Sequence, residues 1–246
     1  MFPASISLPS LPIVVEPLMH APDGIISAPI AIAMWIVTLG VLAVAVRRTN
    51  ETLDERSVPL MGVTAAFIFA AQMFNFQVIG GTSGHLMGGV FAAILLGPWA
   101  GTLVMACVVA VQALVFQDGG LVVMGLNIFN MGIVGTLGGY YVYRILAKAF
   151  GGESRGRIPA AGIAAWLSVV AGSVCMALEL ALSGTTPLEL ALPVMLSVHA
   201  LIGIGEALIT MGALAFIQVA RPDLFLLRDA RVASPAPTAP TSRAAA

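Results

Sequence analysis

The side chains best able to hold a metal ion or carry charge are few, and most fall in short, separate segments. The sequence has three histidines. His20 stands in Leu18-Met19-His20-Ala21-Pro22-Asp23-Gly24, and His85 closes the run Gly80-Gly81-Thr82-Ser83-Gly84-His85. His199 lies inside a long apolar run, seven residues before Glu206, a spacing that puts both on one helical face. Imidazole is the commonest metal ligand near neutral pH. Amides and hydroxyls add a second pattern: Gln72 with Asn75, Thr82 with Ser83, Gln112, and Asn127 with Asn130. Members of each amide pair are three apart and so share a helix face. They could bond neighbouring helices, at about 0.6 kcal/mol each, or orient the ligands of a metal site from behind. Cys107 and Cys175 have no Cys or His neighbours at metal spacing and read as small core residues. No HExxH motif is present, and the sole lysine, Lys148, stands in no phosphate-cradling glycine loop.

These residues must be positioned by membrane helices. Hydrophobic residues make up 59% of the 246 and charged residues 9%, with a mean hydropathy of +1.00; soluble domains carry about 25% charged residues. A backbone in lipid must satisfy its own hydrogen bonds, so the long apolar runs are expected to be helices. Measured against the roughly 20 residues that cross a bilayer, seven segments emerge, near 27–46, 57–76, 86–98, 99–116, 121–147, 158–182 and 192–219. The junction at Gly97-Pro98 is the weakest boundary, because 86–116 could also form one bent helix.

Basic residues sort the sides. Arg47, Arg48 and Arg56 follow the first segment, Arg144, Lys148, Arg155 and Arg157 the fifth, and Arg221, Arg228, Arg231 and Arg243 the last. Cytoplasmic loops carry the excess of Lys and Arg. The fold class is therefore an all-α membrane protein of about seven transmembrane helices, N-terminus outside and C-terminus cytoplasmic, in a cell membrane. Glu16, Asp23, Asp118 and Glu189 then fall outside, together with His20 and His85. Residues 19–221 are expected to form one transmembrane domain, with 222–246 a largely disordered tail rich in Pro and Ala.

Several motifs in order resemble the CbiM/NikM family, the substrate-capture subunits of energy-coupling-factor cobalt and nickel importers. They are Met19-His20-Ala21-Pro22-Asp23-Gly24, Ala71-Gln72-Met73-Phe74-Asn75-Phe76, Gly80 through Leu86, Leu96-Gly97-Pro98-Trp99-Ala100, Val111-Gln112-Ala113-Leu114, Asp118-Gly119-Gly120 and His199 through Ala207. The resemblance runs from about Met19 to Arg221. It implies a subunit with no enzymatic activity and no cofactor, whose cargo is Co(II) or Ni(II), with cobalt preferred and supplied to cobalamin biosynthesis. The implied partners are a transmembrane coupling (T) subunit, two cytoplasmic ATPase subunits and often a small accessory membrane subunit, with no nucleic acid. It further implies a nitrogen-only, roughly square-planar site: the Met19 amine, the His20 amide nitrogen and imidazole, and the His85 imidazole. Such a set favours Ni(II), Cu(II) or Co(II) over Mg(II) or Ca(II).

The implied chelate needs a free amine at Met19, whereas residues 1–18 (MFPASISLPSLPIVVEPL) precede it. That leader lacks the basic start and clean apolar core of an export signal. It is expected to be absent from the functional chain or removed; otherwise Asp23 is the nearest substitute ligand. Gln77 stands where the family usually has proline. The alternatives are a nickel-specific importer subunit, or a haem- or quinone-binding membrane subunit, which would need a second histidine at the depth of His199.

Overall fold

A computed structural model describes residues 20–52, 57–74, 76–77 and 83–225. Leader residues 1–18, Met19, Asn75, Thr82 and the tail beyond 225 lie outside these, and at 76–77 and 83–84 only the backbone is described. The elements are α1 (Ala28–Thr52), α2 (Ser57–Gln72), α3 (Gly89–Leu96), α4 (Pro98–Val111), α5 (Met124–Ile128), α6 (Gly139–Ala149), α7 (Glu153–Leu182) and α8 (Leu188–Ala220). Two π-helical stretches join them: π1 (Gln112–Phe116) prolongs α4, and π2 (Phe129–Gly138) links α5 to α6 as one rod. A minimal antiparallel pair, β1 (Phe76–Gln77) with β2 (Ser83–Gly84), closes the chain between α2 and α3.

The protein is all-helical and multi-pass. Ala28–Thr52, Pro98–Phe116, Glu153–Leu182 and Leu188–Ala220 are each long and apolar enough to cross a membrane, and Ser57–Gln72 is a shorter apolar helix. The expected segment at 86–98 differs from the expectation of a span. Its helix, α3, has eight residues, all buried. At about 1.5 Å per residue that is some 12 Å, well short of the ~30 Å hydrocarbon core. Gly97, at φ 87° and ψ 164°, ends it and turns the chain into Pro98, the first residue of α4. A Cβ on Gly101 would lie 2.9 Å from the Ala93 Cα, so the residues four before and four after the turn touch and the helices run back side by side.

Other glycines work the same way within the bundle. A Cβ on Gly139 would lie 2.7 Å from Val90 of α3, and one on Gly203 2.8 Å from Trp166, whose indole donates to the Ala200 carbonyl. The small residues at these positions therefore serve internal packing. Cysteine placement corrects the sequence reading: both thiols are free, but Cys107 is exposed on the outside of the bundle and Cys175 only half-buried.

The bundle has two chemically distinct ends. At one, Glu153 accepts a hydrogen bond from Tyr143 and pairs with Arg144 at 3.9 Å and Arg157 at 3.6 Å. The Arg157 guanidinium lies 4.1 Å over the Phe225 ring, gathering the α6–α7 turn and the segment after α8. At the other end lie His20, Asp23 and Asp118, with Thr185 donating to the Ile25 carbonyl.

Candidate metal site

His20 and His85, 65 positions apart in sequence, meet at this second end. Their rings stack with centroids 5.2 Å apart and planes 13° from parallel. An ion shared by both, at about 2.0 Å from each nitrogen, needs the two nitrogens at most about 4 Å apart, so the stacked rings must turn for their in-plane lone pairs to converge on it.

His20 is buried, 6% exposed, because the strap that carries it is folded into the bundle. Asn127 of α5 clamps the next residue from both sides: its carbonyl accepts from the Ala21 N–H at 2.8 Å and its amide donates to the Ala21 carbonyl at 3.1 Å. The Gly120 N–H also donates to that carbonyl, at 2.8 Å. Asp23 fixes the other end of the strap, where its carboxylate accepts the N–H groups of Leu121, Val122 and Val123. This makes Asp23 a structural anchor at the start of α5, already committed, and a poor substitute ligand.

Asp118 is a contributor that sequence reasoning treated only as a marker of sidedness. Its carboxylate lies 3.4 Å from His20 Nδ1. The hydrogen bond to His20 holds the Asp118 carboxyl below its ordinary range, against its own partial burial. A carboxylate behind an imidazole fixes the tautomer and sharpens its basicity. It leaves Nε2 of His20 as the free nitrogen, and that atom is buried without a hydrogen-bond partner among the described residues. A chelate ring closed from the His20 backbone nitrogen uses Nδ1, the atom that Asp118 engages here, so binding turns the ring about Cβ–Cγ, takes Nδ1 off Asp118 and puts Cδ2 in its place.

His85 presents the complementary arrangement. Its Nδ1 is 2.8 Å from the Leu86 carbonyl, so Nε2 is free for a ligand. Burial, then the charge of His20, lowers its pKa from 6.5 to about 4. The ring is therefore neutral, with its lone pair available, across the physiological range.

The loop that carries His85 is held from three sides. Gln72, the last residue of α2, donates to the Met87 carbonyl at 2.7 Å, and Gln112 donates to the Gln72 carbonyl at 2.7 Å. From α8, Glu206 accepts the N–H of Met87 at 2.5 Å and of Gly88 at 2.8 Å. Thus Gln72 and Gln112 bond towards the loop that carries His85, and Asn127 bonds the residue after His20. Asn130 does neither: it donates to Glu179 of α7 at 2.7 Å, farther into the bundle. Helix α2 also stops at Gln72, three residues short of Asn75. His199 is buried and bound through Nδ1 to the Met195 carbonyl at 2.8 Å, away from the stacked pair.

Among the described residues, no three His, Cys, Asp or Glu side chains converge to hold a metal. Two imidazoles beside an adjoining stretch of backbone are what this end offers. Imidazole is the commonest metal ligand near neutral pH, and comparison with known proteins identifies the class as membrane metal-transport proteins. The family model for the cobalt uptake substrate-specific transmembrane region, CbiM, matches residues 20–224, and the chain belongs to that family. A protein of Archaeoglobus fulgidus named for fused nickel transport, NikMN, is 42% identical over 208 residues, covering 84% of this chain and 68% of that one. A cobalt transport protein, CbiM, of Sorangium cellulosum is 32% identical over 220 residues, covering 84% of this chain and 94% of its own. A crystal structure of a transition metal transporter superposes with a TM-score of 0.75 at 30% identity, covering 87% of this chain and 100% of that one. The family comprises cobalt and nickel transport proteins of the membrane, not enzymes.

Proposed function

We propose that the chain captures a divalent transition metal at its outer face and delivers it for ATP-driven import, with Co(II) the preferred cargo and Ni(II) also accepted. The ligands in this reading are the Met19 amine, the His20 backbone nitrogen and imidazole, and the His85 imidazole. The observation that carries it is the stacked pair of buried or half-buried imidazoles, each with one nitrogen engaged and one free, at the end of the bundle opposite the Arg144–Arg157 cluster. With that cluster cytoplasmic, the histidine end is outside, and about seven passes, the short buried α3 counted as one of them, leave the C-terminus inside. A free amine at Met19 requires a functional chain without residues 1–18. The energy comes from partners: a coupling membrane subunit and two ATPases, often with a small accessory subunit, supplying cobalt to cobalamin biosynthesis.

Calorimetric titration of purified protein with Co(II) and Ni(II) tests the site. His20→Ala and His85→Ala should each abolish tight binding at this end, and His199→Ala should leave it intact. Equal loss in all three variants would refute the assignment.

A further inference from the structure

Inward of the stacked histidines lies a small cavity that the capture site does not use. Met87, Met131, Met176, Met195, Asn130 and His199 line it, and the room for a sphere's centre is about 10 Å³, enough for one water-sized particle. It is close to the outer site along the chain: Met87 follows His85 by two residues.

Methionine fills irregular gaps in many cores, and four thioethers alone would say no more than that. Two further features set this cavity apart. His199 is 1% exposed and its Nδ1 is taken by the Met195 carbonyl, leaving Nε2 as its remaining donor atom. Asn130 is 4% exposed, and while its amide nitrogen donates to Glu179, its Oδ1 has no partner among the described residues. An unpaired carbonyl in a membrane interior is costly, and such a group beside soft donors is suited to an ion. Thioether and imidazole donors favour late, thiophilic transition metals, whereas Mg(II), Ca(II) and Mn(II) want oxygen.

We propose that this cavity is a second, inner metal site of mixed thioether and imidazole character, built from His199, Asn130 and the four methionines, which takes a thiophilic transition-metal ion. It does not depend on the outer site being filled, and its ligands differ in kind from the all-nitrogen set proposed there. That difference makes it measurable.

The probe is Cu(I), kept reduced and added in excess to the purified full-length protein, with bound metal counted by equilibrium dialysis and its neighbours read by X-ray absorption. The expected result is one equivalent with a sulfur shell in the native protein, retained in His85→Ala. It should vanish in Met87→Leu/Met131→Leu/Met176→Leu/Met195→Leu, substitutions of nearly conserved volume. It should also vanish in Gly172→Ala, which removes no donor: its methyl sits 3.6 Å from the Met87 Cε, an ordinary contact, but takes the space. A nitrogen-and-oxygen shell alone in the native protein overturns the proposal, as does a sulfur shell that survives the fourfold substitution. Retention of tight Ni(II) binding in His85→Ala would count against the outer site instead, leaving this test intact.

Discussion

Glu206→Gln is the most informative single change at the outer site, because Glu206 reaches it across 119 positions of sequence without touching the metal ligands. Its two carboxyl oxygens accept the N–H groups of Met87 and Gly88, at 2.5 and 2.8 Å, and the side chain is 1% exposed. Glutamine has the same shape but keeps one acceptor; the other terminal atom becomes NH₂ and faces an N–H, donor against donor. One buried N–H is left unsatisfied, which costs about 1–3 kcal/mol. The loop relieves this by shifting, and His85 is two residues upstream. Loss of a partner that orients a metal ligand typically costs about 10–100-fold in affinity, the same range as that energy when about 1.4 kcal/mol is tenfold. Calorimetry with Ni(II) gives the affinity, and hydrogen exchange at Met87 and Gly88 reports the loop. Native affinity in Glu206→Gln, with exchange at both amides accelerated, would refute the view that α8 positions His85 through this carboxylate.

Asn127→Leu should remove both bonds to Ala21, leave the Ala21 N–H unpaired and weaken Ni(II) binding about tenfold or more, with the helical circular dichroism unchanged; calorimetry checks it. The His85 imidazole should titrate near 4 rather than 6.5, read from histidine ring shifts in metal-free protein. Its pKa is lowered on folding, so the unfolded chain binds the extra proton between those values. Its contribution to stability is complete above 6.5 and falls as the pH drops toward 4. Loss of metal between pH 7 and 5 must then come from protonation of the other ligands, and a His85 midpoint at 6 or above would contradict the burial argument.

Much of this was readable from residue order because membrane helices obey a length rule and a charge rule. The apolar runs at 158–182 and 192–219 lie within α7 and α8, and the run at 27–46 starts one residue before α1 and otherwise lies within it. The pairing of His20 with His85 was also expected, through a resemblance carried by flanking motifs. The roles of Asp23, Asp118 and Glu206 were not legible. Each acts on backbone or imidazole brought near only by folding, and a lone carboxylate carries no spacing signal for a partner 98, 98 or 119 positions away. Asn127 and Asn130 show the limit of face arguments. Three apart on one rod, they serve Ala21 and Glu179, two partners belonging to different parts of the bundle. Segment 86–98 misled because hydropathy cannot distinguish a short helix sheathed in protein from one that spans lipid.

That sheathed helix sets an order of events during biosynthesis. An eight-residue helix is too short to be retained by the bilayer on its own, so α3 settles only once its neighbours stand around it. Those neighbours include α4, α6, α7 and α8, all of which leave the ribosome after it does. The loop before α3 carries His85, and the carboxylate that caps Met87 and Gly88 is residue 206 of 246. The loop that carries His85 therefore gains its last backbone partner only when α8 docks.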